Sequence, residues 1–309
     1  MAERVEGIKT VVACGDDRTK NTIISTKKTA PEDDPSSIVD VDSIEAINKR
    51  TWSEYRKKPG SFIMFILVHL ATLITVLSIG FLLVYVLVKG VPNLNADIFS
   101  WEYTSDNCSL VPALINTVYM TLLSLLIAGP IGIFAAIYLV EYAKTGNKLV
   151  GVVRITAETL TGIPSIVYGL FGMLFFTNAC GLRLSLISGA LTLAIMVLPV
   201  IMRTTEEALM AVPKSYREGS FGLGAGNLRT VFKVVLPSAV PGILSGIILA
   251  TGRIVGETAA LIYTAGSVAK MATKLTDSTR TLAVHMYLLS KEGLHTDQGY
   301  ATAVVLLVL

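Results

Sequence analysis

Residues 110–140 read LVPALINTVYMTLLSLLIAGPIGIFAAIYLV, with no Asp, Glu, Lys or Arg among them. Roughly 20 such residues, rising about 1.5 Å each as a helix, cross the hydrocarbon core of a bilayer. The same absence of charge holds over 61–88, and shorter uncharged runs occupy 159–182, 184–202 and 234–252. In lipid every backbone amide and carbonyl must find a partner within the chain, which a helix supplies and an open strand does not. A β-barrel would instead need short segments of alternating polarity. An all-α membrane protein is therefore expected. Of the 309 residues, 52% are hydrophobic and 16% charged, far from the usual balance of a soluble domain. The net charge of +3 implies no nucleic acid, because Lys and Arg beside spans serve topology first.

A sixth apolar run starts near Gln298 and reaches Leu309. About a dozen residues cover only roughly 18 Å, so the sequence is expected to stop inside its last helix. The expected spans are 62–88, 112–140, 156–180, 184–203, 234–262 and 298–309, forming a membrane domain over 61–309. Residues 1–60 mix Lys, Asp, Glu, Ser, Thr and Pro without an apolar run, the composition of a flexible tail. They show no cleavable-signal pattern.

Lys49, Arg50, Arg56, Lys57 and Lys58 crowd before the first span and place the N-terminus in the cytoplasm. Alternation then puts Lys144, Lys148 and Arg154 inside, with Arg203, Lys214, Arg217, Arg229 and Lys233. Segment 263–297 falls outside despite Lys270, Lys274, Arg280 and Lys291. Within it Thr281–Ser290 is apolar but too short to span, so it is expected at the surface or as a shallow re-entry. Cys14 falls inside. Cys108 and Cys180 fall near outer membrane ends, open to two readings: an extracytoplasmic disulfide, or two small buried hydrophobes.

The polar stretch before the fifth span carries local signals. Ser215-Tyr216-Arg217-Glu218 has capping-box spacing, Pro213 suits a helix entry, and Gly224 suits a left-handed residue after a last turn. A helix of about two turns is predicted, followed by Asn227 as cap of the next. Pro237 and Pro241 are expected to bend the start of the fifth span. The whole pattern is Glu218-Gly219-Ser220, three residues, Gly224, nine residues, then Val234-Val235-Leu236-Pro237. It resembles the cytoplasmic coupling loop of ABC importer permeases, with Gly219 and Ser220 where alanines are usual and Val234 where isoleucine is. The resemblance implies a short helix docking on a separate ATPase, with Glu218, Gly219, Ser220, Gly224, Leu236 and Pro237 as coupling residues. Gly222-x-Gly224-x-Gly226 has neither Rossmann nor P-loop spacing, and no P-loop occurs elsewhere, so ATP hydrolysis is expected on another polypeptide.

Two further segments narrow the family. Thr159–Leu170, TLTGIPSIVYGL, and Gly252–Ala260, GRIVGETAA, resemble the third-span and fifth-span signatures of PstA-type phosphate ABC importer permeases. The likeness runs from about residue 60 to the end. It implies the type I importer permease fold, six transmembrane helices with a cytoplasmic coupling helix between the fourth and fifth. It also implies four kinds of partner: a second, PstC-like permease; two PstB-like ATPase subunits; an extracytoplasmic PstS-like phosphate-binding protein; and membrane lipid. No cofactor or metal is implied.

The residues speak beside that likeness. Arg253 and Glu257 stand one helical turn apart, with Arg253 roughly 24 Å along a straight helix from Pro237. A charge at that depth is expensive and by default faces a pathway. The planar guanidinium donates paired hydrogen bonds to oxyanions. Glu257 is expected to neutralise Arg253 without substrate, or to bond a protonated oxyanion oxygen. A structural salt bridge is the competing reading. Thr258 and Thr264 offer hydroxyls to a substrate or to their own backbone. Glu158 is read as interfacial, Pro130 and Pro164 as kinks, and His69 as an inter-helix hydrogen-bonding residue. The competing functions are a permease for another oxyanion such as sulfate, and a non-transporting signalling scaffold. An enzyme is disfavoured, since the three histidines are scattered and no His-Glu-x-x-His occurs.

Overall fold

The computed structural model describes residues 59–143 and 148–309. The expected tail up to Lys58, with Cys14 and the basic cluster, lies outside these residues, as does Lys144. All regular structure among the described residues is helical. The helices are α1 Pro59–Gly90, α2 Val111–Ile137, α3 Lys148–Thr161, α4 Ser165–Gly172, α5 Leu186–Ala211 and α6 Lys214–Gly222. They continue as α7 Asn227–Thr230, α8 Leu236–Val255, α9 Ala259–Thr264, α10 Leu282–Glu292 and α11 Thr296–Val308. Wider π-type turns extend α2 over Tyr138–Tyr142 and α4 over Met173–Ala179, and join α7 to α8 over Val231–Val235.

Among the described residues four stretches are long and apolar enough to cross a membrane: Phe62–Asn93, Val111–Tyr142, Leu186–Ala211 and Asn227–Val255. A bent pair, Val150–Thr161 with Ser165–Ala179, makes a fifth. The third span, expected over 156–180 with a kink at Pro164, is thus two helices meeting at 103°. Pro164 explains the break, because it lacks an amide and pushes Ile163 away from helical backbone. Pro130 does less: α2 runs through it. The fifth span, expected over 234–262, stops at Val255 and resumes as α9. The sixth expected span corresponds to the 13 residues of α11.

Contacts divide the chain within α1, into Met1–Leu73 and Ile74–Leu309. In the first unit the His69 Nδ1 bonds the Phe65 carbonyl at 2.9 Å, one turn back in its own helix rather than across to another. In the second unit α5 is the central rod. Leu193, Met196, Val197 and Ile201 are fully buried, with α2 and α8 packed along it. Since lipid tails are as apolar as leucine, close packing rather than water exclusion holds these helices together. Gly189 serves that packing: a Cβ there would lie 2.9 Å from both the Ala265 Cβ and the Met120 Cε.

The segment before α10 is pinned to α2. Buried Asn116 donates to the carbonyls of Lys270 (2.9 Å) and Arg280 (3.3 Å) and accepts from the Ala272 amide (2.9 Å). Thr117 accepts from the Leu282 amide at 2.8 Å. The short apolar run expected over 281–290 forms α10, and Gly293, at φ 72°, turns it into α11. Cys108 is buried, Cys180 exposed, and both are free thiols.

Near α10 the Arg280 guanidinium lies 4.5 Å over the Tyr103 ring, whose edge also meets His285. His285 is fully buried. Burial, then the Arg280 charge, push its imidazole from 6.5 down to about 3, with the Cys108 backbone acting the other way. The folded protein therefore favours the neutral ring. Its contribution is complete above pH 6.5 and is lost as pH falls from there towards about 3. Acidifying the purified protein from pH 7 to pH 4 is expected to lower its thermal stability, and His285→Phe to flatten part of that slope. Equal slopes would exclude His285 as the titrating group.

Candidate functional site

Between α5 and α8 the chain leaves the apolar core. Pro213, at φ −55° and ψ 140°, stands at the N-cap of α6 without a side-chain cap. Ser215 therefore lies inside the first turn, and the predicted capping box with Glu218 does not form. The preset dihedral of Pro213 moves the helix start ahead of the serine. Asn227 likewise begins α7 instead of capping it, with Gly226 at the cap. The far end of α6 is as expected. Gly224 has φ 81°, its amide bonds the Phe221 carbonyl at 2.9 Å, and the Ala225 amide bonds the Ser220 carbonyl at 3.1 Å. That pair of bonds is the Schellman ending.

No residue of α6 is buried. Glu218 and Gly219 are exposed, and Ser220 bonds the Thr230 hydroxyl at 2.8 Å, closing α6 onto α7. Apolar side chains also face outward here, Leu223 at 91% exposure and Leu228 at 67%. Leu236 does a different job, half-buried against the core of α5 and α8. Pro237 sits in the first turn of α8, directly after the wide turn that accommodates its missing amide.

Sequence reasoning missed what holds α6 down. The Arg217 Nε and Nη2 donate to the Glu141 carboxylate at 3.2 and 2.6 Å. Its Nη1 donates to the Val212 carbonyl at 2.8 Å and Nη2 also to the Leu209 carbonyl at 2.9 Å. The two side chains retain 18% and 11% exposure. In the sequence Arg217 reads as a cytoplasmic positive charge beside the capping-box pattern, and Glu141, 76 residues away, gives no signal beyond ending an uncharged run. A second ionic group joins α3 to α5: Arg154 pairs with Glu206, while Arg203 reaches Glu207 at 3.2 Å and Glu158 at 3.8 Å. Glu158 thus lies beside a cavity of about 250 Å³ shared with these charges.

The two signature segments meet in space. A Cβ on Gly169 of α4 would lie 2.7 Å from the Ala260 Cα of α9, so only glycine permits the approach. Across the α3–α4 bend the buried Tyr168 hydroxyl donates to the Leu160 carbonyl at 2.7 Å. Arg253 lies in the last turn of α8, half-buried, and no ion pair joins it to Glu257. Glu257 is buried beyond the end of α8, and its Oε1 accepts from the Ala260 amide at 3.0 Å, capping α9. The helix ends at Val255, so the two residues no longer share a continuous turn. Thr258 stands at the start of α9 without a side-chain cap bond, and Thr264 bonds the Ala260 carbonyl of its own helix at 2.8 Å.

Residues 128–309 match the family model described as binding-protein-dependent transport system inner membrane component. The chain belongs to that family. Among its relatives is a probable ABC transporter permease, YqgI, of Bacillus subtilis, 34% identical over 74% of this chain and 82% of that protein. The phosphate transport system permease protein PstA of Haemophilus influenzae is 30% identical over 75% of this chain and 83% of its own. The PstA of Xylella fastidiosa strain 9a5c is 40% identical over 57% and 62%. In fold the chain is similar to the MetNI methionine ABC transporter in an inward-facing form. The TM-score is 0.53 at 22% identity, covering 64% of this chain and 88% of that one. It is also similar to a bacterial ABC transporter involved in alginate import, at TM-score 0.51 and 17% identity, covering 83% and 94%. As a member of this family it is a multi-pass inner-membrane permease subunit of an ATP-driven importer, acting with an ATPase and a substrate-binding protein.

Gly224→Val would force a β-branched residue into the left-handed region, at a cost of about 1–2 kcal/mol or more. Faster hydrogen exchange at the amides of Gly224 and Ala225 is the expected result. Unchanged protection would mean that the Schellman ending does not depend on glycine.

Proposed function

We propose that this chain is the PstA-type permease of a phosphate importer and forms half of its translocation pathway. Its expected partners are a PstC-like second permease, two PstB-like ATPase subunits and a PstS-like phosphate-binding protein. Several relatives named as phosphate transport permeases support this reading. The observation that carries the chemistry is Arg253, a half-buried guanidinium in an apolar span, with no ion pair to a carboxylate among the described residues. Its paired donors suit a tetrahedral oxyanion. Glu257, fixed on α9, and the Thr258 hydroxyl stand at the other side of the break, where they are placed to select the protonation state of the anion. α6, with Phe221 exposed on it and Leu223 and Leu228 exposed just beyond it, is the ATPase-docking helix, and Glu218, Gly219, Ser220 and Gly224 shape it. Leu236 and Pro237 set the entry of α8 behind it.

Arg253→Met keeps an apolar stem while removing the donors. Loss of a hydrogen bond to a charged group, about 1.5–3 kcal/mol, implies a roughly ten- to hundred-fold fall in phosphate uptake by reconstituted complexes. Membrane abundance and complex assembly should hold. Arg253→Lys should recover only part of the rate. Parental uptake in Arg253→Met would remove the residue from the pathway, and parental complexes that carried sulfate but not phosphate would change the substrate.

The basic cluster before α1 supports a cytoplasmic N-terminus. A cysteine introduced at Asp40 should resist an impermeant thiol reagent added outside intact cells and react once they are opened. Labelling from outside would invert the topology.

A further inference from the structure

We propose that Arg217 and Glu141 form the joint through which α6 moves the membrane helices, an inference that rests on reading α6 as the ATPase-docking helix. A helix with no fully buried residue has little packed surface through which to push. Among the described residues it is joined to the body by its two chain ends, the Ser220–Thr230 hydrogen bond, its contact with the Val231–Val235 turn and the Arg217 guanidinium. All but the last lead to segments next to it along the chain. Among the hydrogen bonds and ion pairs of the described residues, Arg217 is what ties α6 to a helix distant in sequence.

The guanidinium gathers three elements at one point. It holds Glu141 in the last turn of α2, through Nε at 3.2 Å and Nη2 at 2.6 Å. It also takes the Leu209 and Val212 carbonyls, at 2.9 and 2.8 Å, where α5 ends. Those carbonyls carry the negative end of the α5 dipole, so they and the carboxylate act on the same cation. The planar fork fixes direction as well as distance, which a lysine ammonium would not. Partial burial weakens solvent screening, and removing one partner would leave the other charge uncompensated. Glu141 itself sits in the π-type turn Tyr138–Tyr142, a local geometry often found where a helix serves function. Displacement of α6 therefore drags the ends of α2 and α5 together. Without the joint, α6 pivots about Pro213 and the displacement is dissipated.

The test uses the complete importer in liposomes, with both permeases, the ATPase subunits and the binding protein. Glu141→Gln is the mild variant, since its amide oxygen still accepts from the guanidinium, and Arg217→Lys is the severe one. Three quantities are read: ATPase co-purification, ATP hydrolysis, and inorganic phosphate uptake per ATP. A fourth needs no knowledge of the substrate. It is the nucleotide-dependent change in thiol reactivity of a cysteine placed at Ser124, buried in α2, in a chain without its native cysteines. Both variants are expected to keep the ATPase and hydrolyse ATP. Uptake per ATP should fall about three-fold or more in Glu141→Gln and ten-fold or more in Arg217→Lys, and the Ser124 signal should shrink in step. The double variant should be no worse than Arg217→Lys, because both changes break one joint. Unchanged uptake per ATP with an unchanged Ser124 signal in Glu141→Gln overturns the joint, even if Arg217→Lys fails to assemble. Loss of the ATPase from Glu141→Gln also overturns it, since the pair would then shape the docking face instead. Should Gly224→Val and both joint variants keep full coupling, the docking role of α6 is what fails.

Discussion

Among the described residues two helix breaks, at α3–α4 and at α8–α9, are each closed by local hydrogen bonds, and the helices that follow them pack on each other. A broken helix exposes amides and carbonyls that lipid cannot satisfy. At the α3–α4 bend the Gly162 and Ile163 amides bond the carbonyls of Thr159 and Leu160, and Tyr168 adds its hydroxyl to Leu160. At the α8–α9 break the Gly256 and Glu257 amides bond the carbonyls of Gly252 and Ile254, while the Glu257 carboxylate takes the Ala260 amide. Gly169 then lets α4 close against Ala260, so the helices that follow the two breaks pack directly on each other. Substituting a larger residue at Gly169 would separate the two breaks.

That arrangement was only half legible in the sequence. Uncharged runs announce spans because charge at depth is costly whatever the tertiary structure. They say nothing about whether a run is straight. Pro164 marks a kink in the sequence, but a proline alone does not tell how far the span turns, which is 103° here. The α8–α9 break had no proline to mark it. The capping box at Ser215 failed for a local reason, since Pro213 captured the helix start. Gly224 succeeded because a left-handed residue after a short helix is a backbone requirement that distant contacts rarely override. The Arg217–Glu141 pair spans 76 positions, and no periodicity reports a contact of that kind.

The separation of Arg253 from Glu257 changes the electrostatics of the span. Read as one turn of one helix, the pair would be a self-contained ion pair needing no anion. With the helix ended at Val255, Glu257 is committed to the α9 amide and Arg253 keeps its donors. Arg253 lies in the last turn of α8, the end of a helix where its macrodipole favours a cation.

The same logic of partial commitment distinguishes the two ends of α6. Its far end is closed by backbone bonds around Gly224 and by Ser220 on Thr230, interactions that hold shape locally. Its near half is held by a charged side chain that spans to α2 and the end of α5. On the proposed reading, a short helix with a backbone-closed end and an ionic tether at the other would act as a lever. Rigidity matters more than strength here. If the docking reading holds, a push on α6 and the exposed Leu223 and Leu228 just beyond it would have to reach α2 with little loss, which a compliant loop of equal affinity would not allow.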